Sequence, residues 1–356
     1  MDSIHGADYQ IHFQDKAFDA MNQLVKKLQP SVIFILVDEN TMQHCYPVFI
    51  PFLQTEARIE VIEIDAGEEH KNIDTCTGVW NALIELGCDR NSLIINLGGG
   101  VITDLGGFVA STIKRGIEFI HVPTTVLGMV DAAIGGKNGV DLGHLKNQVG
   151  VINTPAMTLV HSIFLKSLPK RQLINGSIEM FKHGLIADRV YWENMLSQGA
   201  TFDSETFEHL IYQSVLIKND VVQSDLNENG ARKSLNFGHT IGHAIESFCL
   251  ASDRHPALLH GEAIAAGLYL ESFLSLKQAG LSKEEFDSIA TWYKGLGLLL
   301  AFDQHDILEI LGYMTHDKKN INGQIRFVLI AQIGSYVIDQ IIPETEVISA
   351  FDLLNN

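Results

Sequence analysis

At 356 residues, and with ~100 to 200 residues per domain, the chain has room for two domains and is too long for a disulfide-stapled miniprotein. Hydrophobic residues at 46% and charged residues at 19% exclude an intrinsically disordered chain. With 43 acidic against 25 basic residues the formal charge is -18, which argues against nucleic acid or an anionic membrane as partner.

The first fourteen residues carry Asp2, His5, Asp8 and His12 without a long apolar stretch, so they do not read as a signal peptide. Short β-branched runs at 31–37, 58–64, 92–97 and 118–122 alternate with helical patterns and predict a mostly parallel α/β domain over 1–169. Twelve of the 30 glycines fall between 98 and 150, and six of the eight prolines lie at or before Pro169. After Pro169 apolar residues recur at helical spacing over 171–187, 204–225, 235–251 and 261–280, predicting a mainly helical domain over 170–356. An alternating stretch at 325–330, then Gly334-Ser335, then 336–338 predicts a terminal hairpin. Cys45, Cys76, Cys88 and Cys249 form no CxxC pair and read as reduced thiols. No uncharged run approaches the ~20 residues of a membrane helix, and the expectation is a cytoplasmic protein.

Two glycine-rich segments point to phosphate. The run 92–97 opens through Gly98-Gly99-Gly100 onto Val101-Ile102-Thr103-Asp104, where a strand, a glycine turn and a helix start bring backbone N–H groups to an anion. The pattern departs from GxGxxG, because Thr103 stands at the third glycine position. Pro123-Thr124-Thr125 follows the next strand, and 131–139 reads as a second glycine-rich loop with Lys137, followed by Lys146-Asn147. Hydroxyls, lysines and open backbone together suit a phosphorylated ligand.

In the helical half, His239 and His243 stand four apart on one predicted helix face, the spacing of a two-histidine metal site. Thr240 replaces the glutamate of HExxH, so the hydrolytic base is missing. His260 in His260-Gly261-Glu262 and Glu179 in the apolar helix 178–183 are further candidate ligands, and three N/O donors with an open position describe a catalytic metal. Lys218 interrupts a β-branched run, Arg232 precedes Asn236 by four residues, and Lys318-Lys319 follow Asp317; cations concentrated in an acidic chain make a local anion site.

These residues resemble the 3-dehydroquinate synthases, a family of sugar phosphate cyclases. The likeness runs from Gly67-Glu68-Glu69-His70-Lys71 through the glycine turn, Leu168-Pro169 and 179–184 to Asp317-Lys318-Lys319, and 235–246 is its most specific piece. It implies an NAD-binding α/β domain, a mainly α-helical C-terminal metal-binding domain and a homodimer. By position it assigns Glu179, His239 and His260 to a divalent metal, zinc or cobalt, and turns His243 toward substrate. NAD would touch Glu68, Lys71, Gly100, Val101, Ile102, Thr103, Asp104, Thr124, Thr125, Lys137, Lys146, Phe164, Leu165, Lys166 and Ser167. The substrate, 3-deoxy-D-arabino-heptulosonate 7-phosphate, would be held by Asp131, Lys137, Lys146, Asn147, Lys182, Lys218, Arg232, Asn236, His243 and one of Lys318 or Lys319, with Glu228 orienting the cations.

The implied reaction oxidises C5 transiently with NAD, eliminates phosphate, returns the hydride and closes the ring by an intramolecular aldol step. NAD is recycled, and the leaving phosphate can itself take the C6 proton. The chain departs from the family's usual residues at His183, Asn138, Ala132, Ala133, His161 and Gln172, none of them a proposed ligand. A longer 252–256 segment makes His255 a rival to His260. Three other readings stand beside this one: another sugar phosphate cyclase, a metal-dependent polyol or glycerol phosphate dehydrogenase, and a non-catalytic paralogue.

Overall fold

The computed structural model describes residues 1–6, 9–143, 145–198, 202, 205–226, 228–315 and 325–355. The chain divides into two compact units, Met1–Gly176 with Phe202–Asn219, and Ser177–Thr201 with Asp220–Asn356.

The first unit contains strands β1 (Ile4–His5), β2 (Gln10–Phe13), β3 (Val32–Asp38), β4 (Arg58–Ile64), β5 (Leu93–Gly98), β6 (Glu118–Pro123), β7 (Lys137–Leu142), β8 (Leu145–Ile152) and β9 (Met157–Val160). Seven of them form one sheet in the order β1-β2-β9-β6-β5-β3-β4, with every pair parallel apart from β1–β2. The predicted strands all form, because runs such as Val-Ile-Phe-Ile-Leu-Val in β3 are covered on both faces and need no polar alternation. Phe34, Leu36 and Ile94 from the sheet pack with Ile102, Leu105 and Val109 of helix Gly100–Thr112, each such side chain contributing ~1.5 to 3 kcal/mol of burial. Chain order runs outward from β3 to β4 on one side and to β5 on the other. That reversal puts the topological switch point at the carboxyl ends of β3 and β5, at Asp38 and Gly98, where sheets of this kind bind ligands.

One expectation is corrected here. The segment 131–139 is not a continuous loop: a helical turn spans Gly128–Ala132, and Lys137 already begins β7, which pairs antiparallel with β8. Gly139 lies directly opposite Gly150, and the backbones approach so closely that a Cβ at Gly139 would stand 2.6 Å from the Val149 carbonyl oxygen. Gly139 and Gly150 serve a tight strand pair, which glycine content alone disguises as a loop, while Gly135 and Gly136, at φ +97 and +68, make the turn before it.

The second unit is mainly helical, with the antiparallel hairpin β10 (Phe327–Gln332) and β11 (Ser335–Gln340) as predicted. Helix His260–Gln278 runs through its centre, buried on nearly every side at Ala263, Ile264, Ala265, Ala266, Leu268 and Leu270. Trp192, Phe237, Ile241, Ile245 and Phe248 pack around it. The helix expected over 235–251 starts later, at His239, after a short turn Ala231–Asn236. Gly238 breaks the two apart with φ +78, a left-handed conformation that favours glycine.

Candidate active site

In the α/β unit the glycine turn sits at the end of β5. None of Gly98, Gly99 and Gly100 has positive φ; the requirement is for space. A Cβ on Gly98 would stand 2.5 Å from Ile102 Cβ, and one on Gly99 would stand 3.0 Å from the Thr125 methyl. Bare backbone therefore faces the start of helix Gly100–Thr112, with the unpaired N–H groups and dipole of a helix end that suit a pyrophosphate. The Thr124 N–H donates to the Gly98 carbonyl at 3.0 Å, tying the Pro123-Thr124-Thr125 turn to the same place, and Thr125 Oγ1 accepts from the Gly128 N–H at 3.0 Å. Ile102 and Thr103 are fully buried, Thr103 Oγ1 bonding the Gly100 carbonyl at 3.1 Å.

Beside this turn, Lys71 is only 3% exposed. Its Nζ lies 2.6 Å from Asp104, 2.7 Å from Asn147 Oδ1 and 3.8 Å from Glu68, while Lys146 approaches Glu68 at 3.4 Å. Burial opposes the charge on Lys71, yet Asp104 and Glu68 hold its pKa above the ordinary lysine value. Five residues assigned from distant parts of the sequence thus form one cluster. Asn147 adopts a left-handed φ of +52 to join it, its N–H donating to Asp141 Oδ1 at 2.6 Å. Lys218 binds the Asp131 carboxylate and carbonyl. Lys137 is exposed on β7; Val101 stands in the first turn of helix Gly100–Thr112. Phe164 and Leu165 are buried in the turn Ser162–Ser167, with Lys166 and Ser167 exposed beside them.

In the helical unit Glu179 is completely buried, and its Oε1 lies 3.3 Å from His260 Nε2 and 3.6 Å from His239 Nε2. The other ring nitrogens are occupied: His239 Nδ1 meets the Phe237 carbonyl at 3.1 Å and His260 Nδ1 meets Glu246 at 3.2 Å. Holding Nδ1 in this way aims both Nε2 atoms at Glu179, the arrangement by which an outer carboxylate or carbonyl orients a metal-binding histidine. The donor set of one carboxylate and two imidazoles fits a divalent metal. His243 is close as well, its ring centroid 5.0 Å from that of His239 and 5.6 Å from that of His260, and the ligating atoms of the three histidines fall within 4.8 Å of one another. Burial disfavours charge on His260, but Glu246 and Glu179 push its pKa up to about 10. The Glu262 carboxylate accepts the Leu259 N–H at 2.8 Å and fixes the start of the helix carrying His260.

Lys182, 1% exposed, pairs with Glu179 one helical turn away. Glu228 accepts from Asn236 Nδ2 at 2.7 Å. Arg232 is 2% exposed, its Nη1 donating to the Leu226 carbonyl at 3.0 Å and its backbone N–H to Asp225 at 3.1 Å. His255, the rival ligand, is turned elsewhere: its Nε2 meets Asp306 at 3.1 Å and its ring packs on Phe248 and Phe302. Lys318 and Lys319 lie outside the described residues. Sequence reading passed over Glu246 as a partner of His260. Its signal was available, since His239, His243 and Glu246 stand at i, i+4 and i+7 on one helix face. Asp225, which accepts N–H groups from Gly230 and Arg232 and so shapes the turn before Arg232, had no comparable signal.

The family models described as 3-dehydroquinate synthase N-terminal and C-terminal match residues 61–175 and 176–320. The chain is 38% identical over 335 residues to the 3-dehydroquinate synthase of Parabacteroides distasonis, covering 93% of this chain and 94% of that protein. Its fold is shared by a 2-epi-5-epi-valiolone synthase from Streptomyces hygroscopicus subsp. jinggangensis with NAD+ and Zn2+ bound, at TM-score 0.87 and 24% identity over 100% of this chain and 99% of that one. A 2-deoxy-scyllo-inosose synthase complexed with carbaglucose-6-phosphate, NAD+ and Co2+ superposes at TM-score 0.85 and 24% identity, covering 98% of each chain. With both family models matched in tandem and this identity sustained over most of its length, the chain belongs to the 3-dehydroquinate synthase family.

Proposed function

We propose that the protein converts 3-deoxy-D-arabino-heptulosonate 7-phosphate to 3-dehydroquinate and phosphate, with NAD held by the α/β unit and a divalent zinc or cobalt ion by the helical unit. The observation that carries this reading is the convergence of His239 and His260 Nε2 on buried Glu179, beside His243. NAD+ with Zn2+ or Co2+ in the two solved neighbours supports the cofactor assignment. When bound, NAD supplies reversible oxidation at C5 and the metal polarises the C5 hydroxyl.

The chain's own residues bind, orient and move protons. The start of helix Gly100–Thr112 would present backbone to the NAD pyrophosphate, with Thr103 and Asp104 beside it, while Glu68, Lys71, Thr124, Thr125 and the 164–167 turn would position the rest of the cofactor. The residues proposed for the phosphorylated substrate are Lys137, Lys146, Asn147, the Asp131–Lys218 pair, Lys182, Arg232 and Asn236, Asn236 being held by Glu228. Fixing carboxylate and phosphate in one orientation supplies most of the advantage for an elimination followed by an intramolecular ring closure. His243, beside the metal ligands, carries the proton exchanged with the substrate hydroxyl, and the departing phosphate serves as base for C6.

The expected assembly is a homodimer in the cytoplasm. Among the described residues no helix is long and apolar enough to cross a membrane, and all four cysteines are buried free thiols. The test is product identity. Zinc-loaded protein with NAD should turn the phosphorylated heptulosonate into dehydroquinate, identified by NMR, and should not act on a heptulose phosphate lacking the carboxylate. Equal turnover of both sugars would move the assignment to another cyclase.

A further inference from the structure

Helix His239–Ala251 begins without a side-chain cap of its own. Its N-cap is Gly238, in the left-handed region, which leaves first-turn N–H groups to be satisfied from elsewhere. They are satisfied by Glu271, in the middle of helix His260–Gln278 and 0% exposed. Its Oε2 accepts the Gly238 N–H at 2.7 Å and its Oε1 accepts the Ile241 N–H at 3.0 Å. The helix carrying His239 is thus capped by a carboxylate borrowed from the helix carrying His260. The two helices meet through Gly238, Gly242 and Gly267. A methyl group on Gly267 would overlap the Gly238 carbonyl, and one on Gly242 would stand 3.1 Å from the Ala263 carbonyl.

We infer that Glu271 is a positioning residue of the metal site: by clamping the first turn of helix His239–Ala251 onto helix His260–Gln278, it sets the approach of His239 to His260 and Glu179. This rests on the reading that Glu179, His239 and His260 hold a divalent metal. His239 is the first residue of its helix, flanked by the two clamped N–H groups at Gly238 and Ile241, so movement of that turn moves its ring directly. A buried carboxylate is costly unless both oxygens are matched, and here each oxygen receives a backbone donor. Glutamine at this position would keep one acceptor and turn an N–H2 group toward the other backbone N–H, loosening one of the two contacts while preserving volume.

The experiment is a Co2+ titration of the metal-free protein, followed by visible absorption, for the unsubstituted protein and for Glu271→Gln, Glu271→Ala and His239→Ala, with NAD+ affinity measured in parallel by calorimetry. Glu271→Gln should bind Co2+ on the order of tenfold more weakly with an altered visible band, since outer partners of metal ligands typically contribute tenfold to a hundredfold in affinity. Its NAD+ affinity should stay within about twofold, because the residues proposed for NAD+ belong to the other unit. Glu271→Ala should lose more, and if it fails to fold, the isosteric Gln variant still decides. Unchanged Co2+ affinity and spectrum in Glu271→Gln would overturn the inference, as would a parallel loss of NAD+ binding, which would mark a general support of the fold. Identical Co2+ binding by the unsubstituted protein and His239→Ala would instead remove the metal assignment, and the inference with it.

Discussion

In the α/β unit, buried Lys71 meets Asp104, Glu68 and Asn147, so its cation is compensated by neighbours from the same unit. In the helical unit two carboxylates, Glu179 and Glu246, converge on His260 and hold a proton there. In the first cluster the buried cation is matched by carboxylates of the same unit. The second is poised for exchange, because a metal must displace the proton that the carboxylates favour. The Lys71 cluster should therefore respond to loss of charge balance, and the His260 cluster to pH.

The largest effect that would break this contrast is loss of a ligand. His260→Ala and Glu179→Gln should abolish stoichiometric metal binding and reduce kcat/KM by about a thousandfold or more, since a Lewis acid contributes several kcal/mol, while leaving NAD+ affinity largely intact. Full metal content in His260→Ala, measured by atomic emission, would sink the ligand assignment. Next in size is Lys71→Met. It leaves Asp104 and Glu68 facing each other without their cation, and breaking a buried pair of this kind costs about 3 kcal/mol or more. Denaturant unfolding should show that loss together with weaker NAD+ binding, and the metal should stay in place.

How much of this was legible in the sequence follows the same division. The strand 58–64 was readable to the residue, because Ile59, Val61, Ile62 and Ile64 give this half-exposed edge strand its β-branched signal locally. The i, i+4 spacing marked His239 and His243, whereas the expected trio of Glu179, His239 and His260 came from the family resemblance. Glu271 was not readable, since its partners Gly238 and Ile241 lie 33 and 30 residues away and nothing local marks a mid-helix glutamate as a cap for another helix. The β7–β8 pair was hidden for a different reason: glycines that let two backbones touch look, in sequence, like glycines that make a loop.

A third prediction sharpens the contrast through pH. The folded pKa of His260 is raised from 6.5 to about 10 in the metal-free protein, so its contribution to stability is fully present below pH 6.5 and is lost as pH rises toward about 10. Thermal melts of metal-free protein should fall across that window. Metal affinity should move the other way, rising up to about tenfold per pH unit in the same range as the competing proton is removed. A metal affinity independent of pH between 7 and 9 would contradict the proton-held state of His260.

Smaller changes follow. Lys218→Ala removes the cation that binds Asp131 and should raise the substrate KM on the order of tenfold, as expected for a charged hydrogen bond, with metal content unchanged; unaltered kinetics would remove Lys218 from the site. His255→Ala should do least. Its ring is committed to Asp306, Phe248 and Phe302, so metal stoichiometry should be that of the unsubstituted protein.

A 3-dehydroquinate synthase recycles its NAD, and the direct test is the ratio of product to cofactor. Metal-loaded protein is given NAD+ equal to its own concentration and an excess of 3-deoxy-D-arabino-heptulosonate 7-phosphate, with phosphate release and NADH absorbance followed together. Phosphate released in many-fold excess over NAD+, matched by dehydroquinate and with no net NADH, is the predicted result. Turnover that stops at one equivalent with NADH accumulating would contradict it and identify a dehydrogenase.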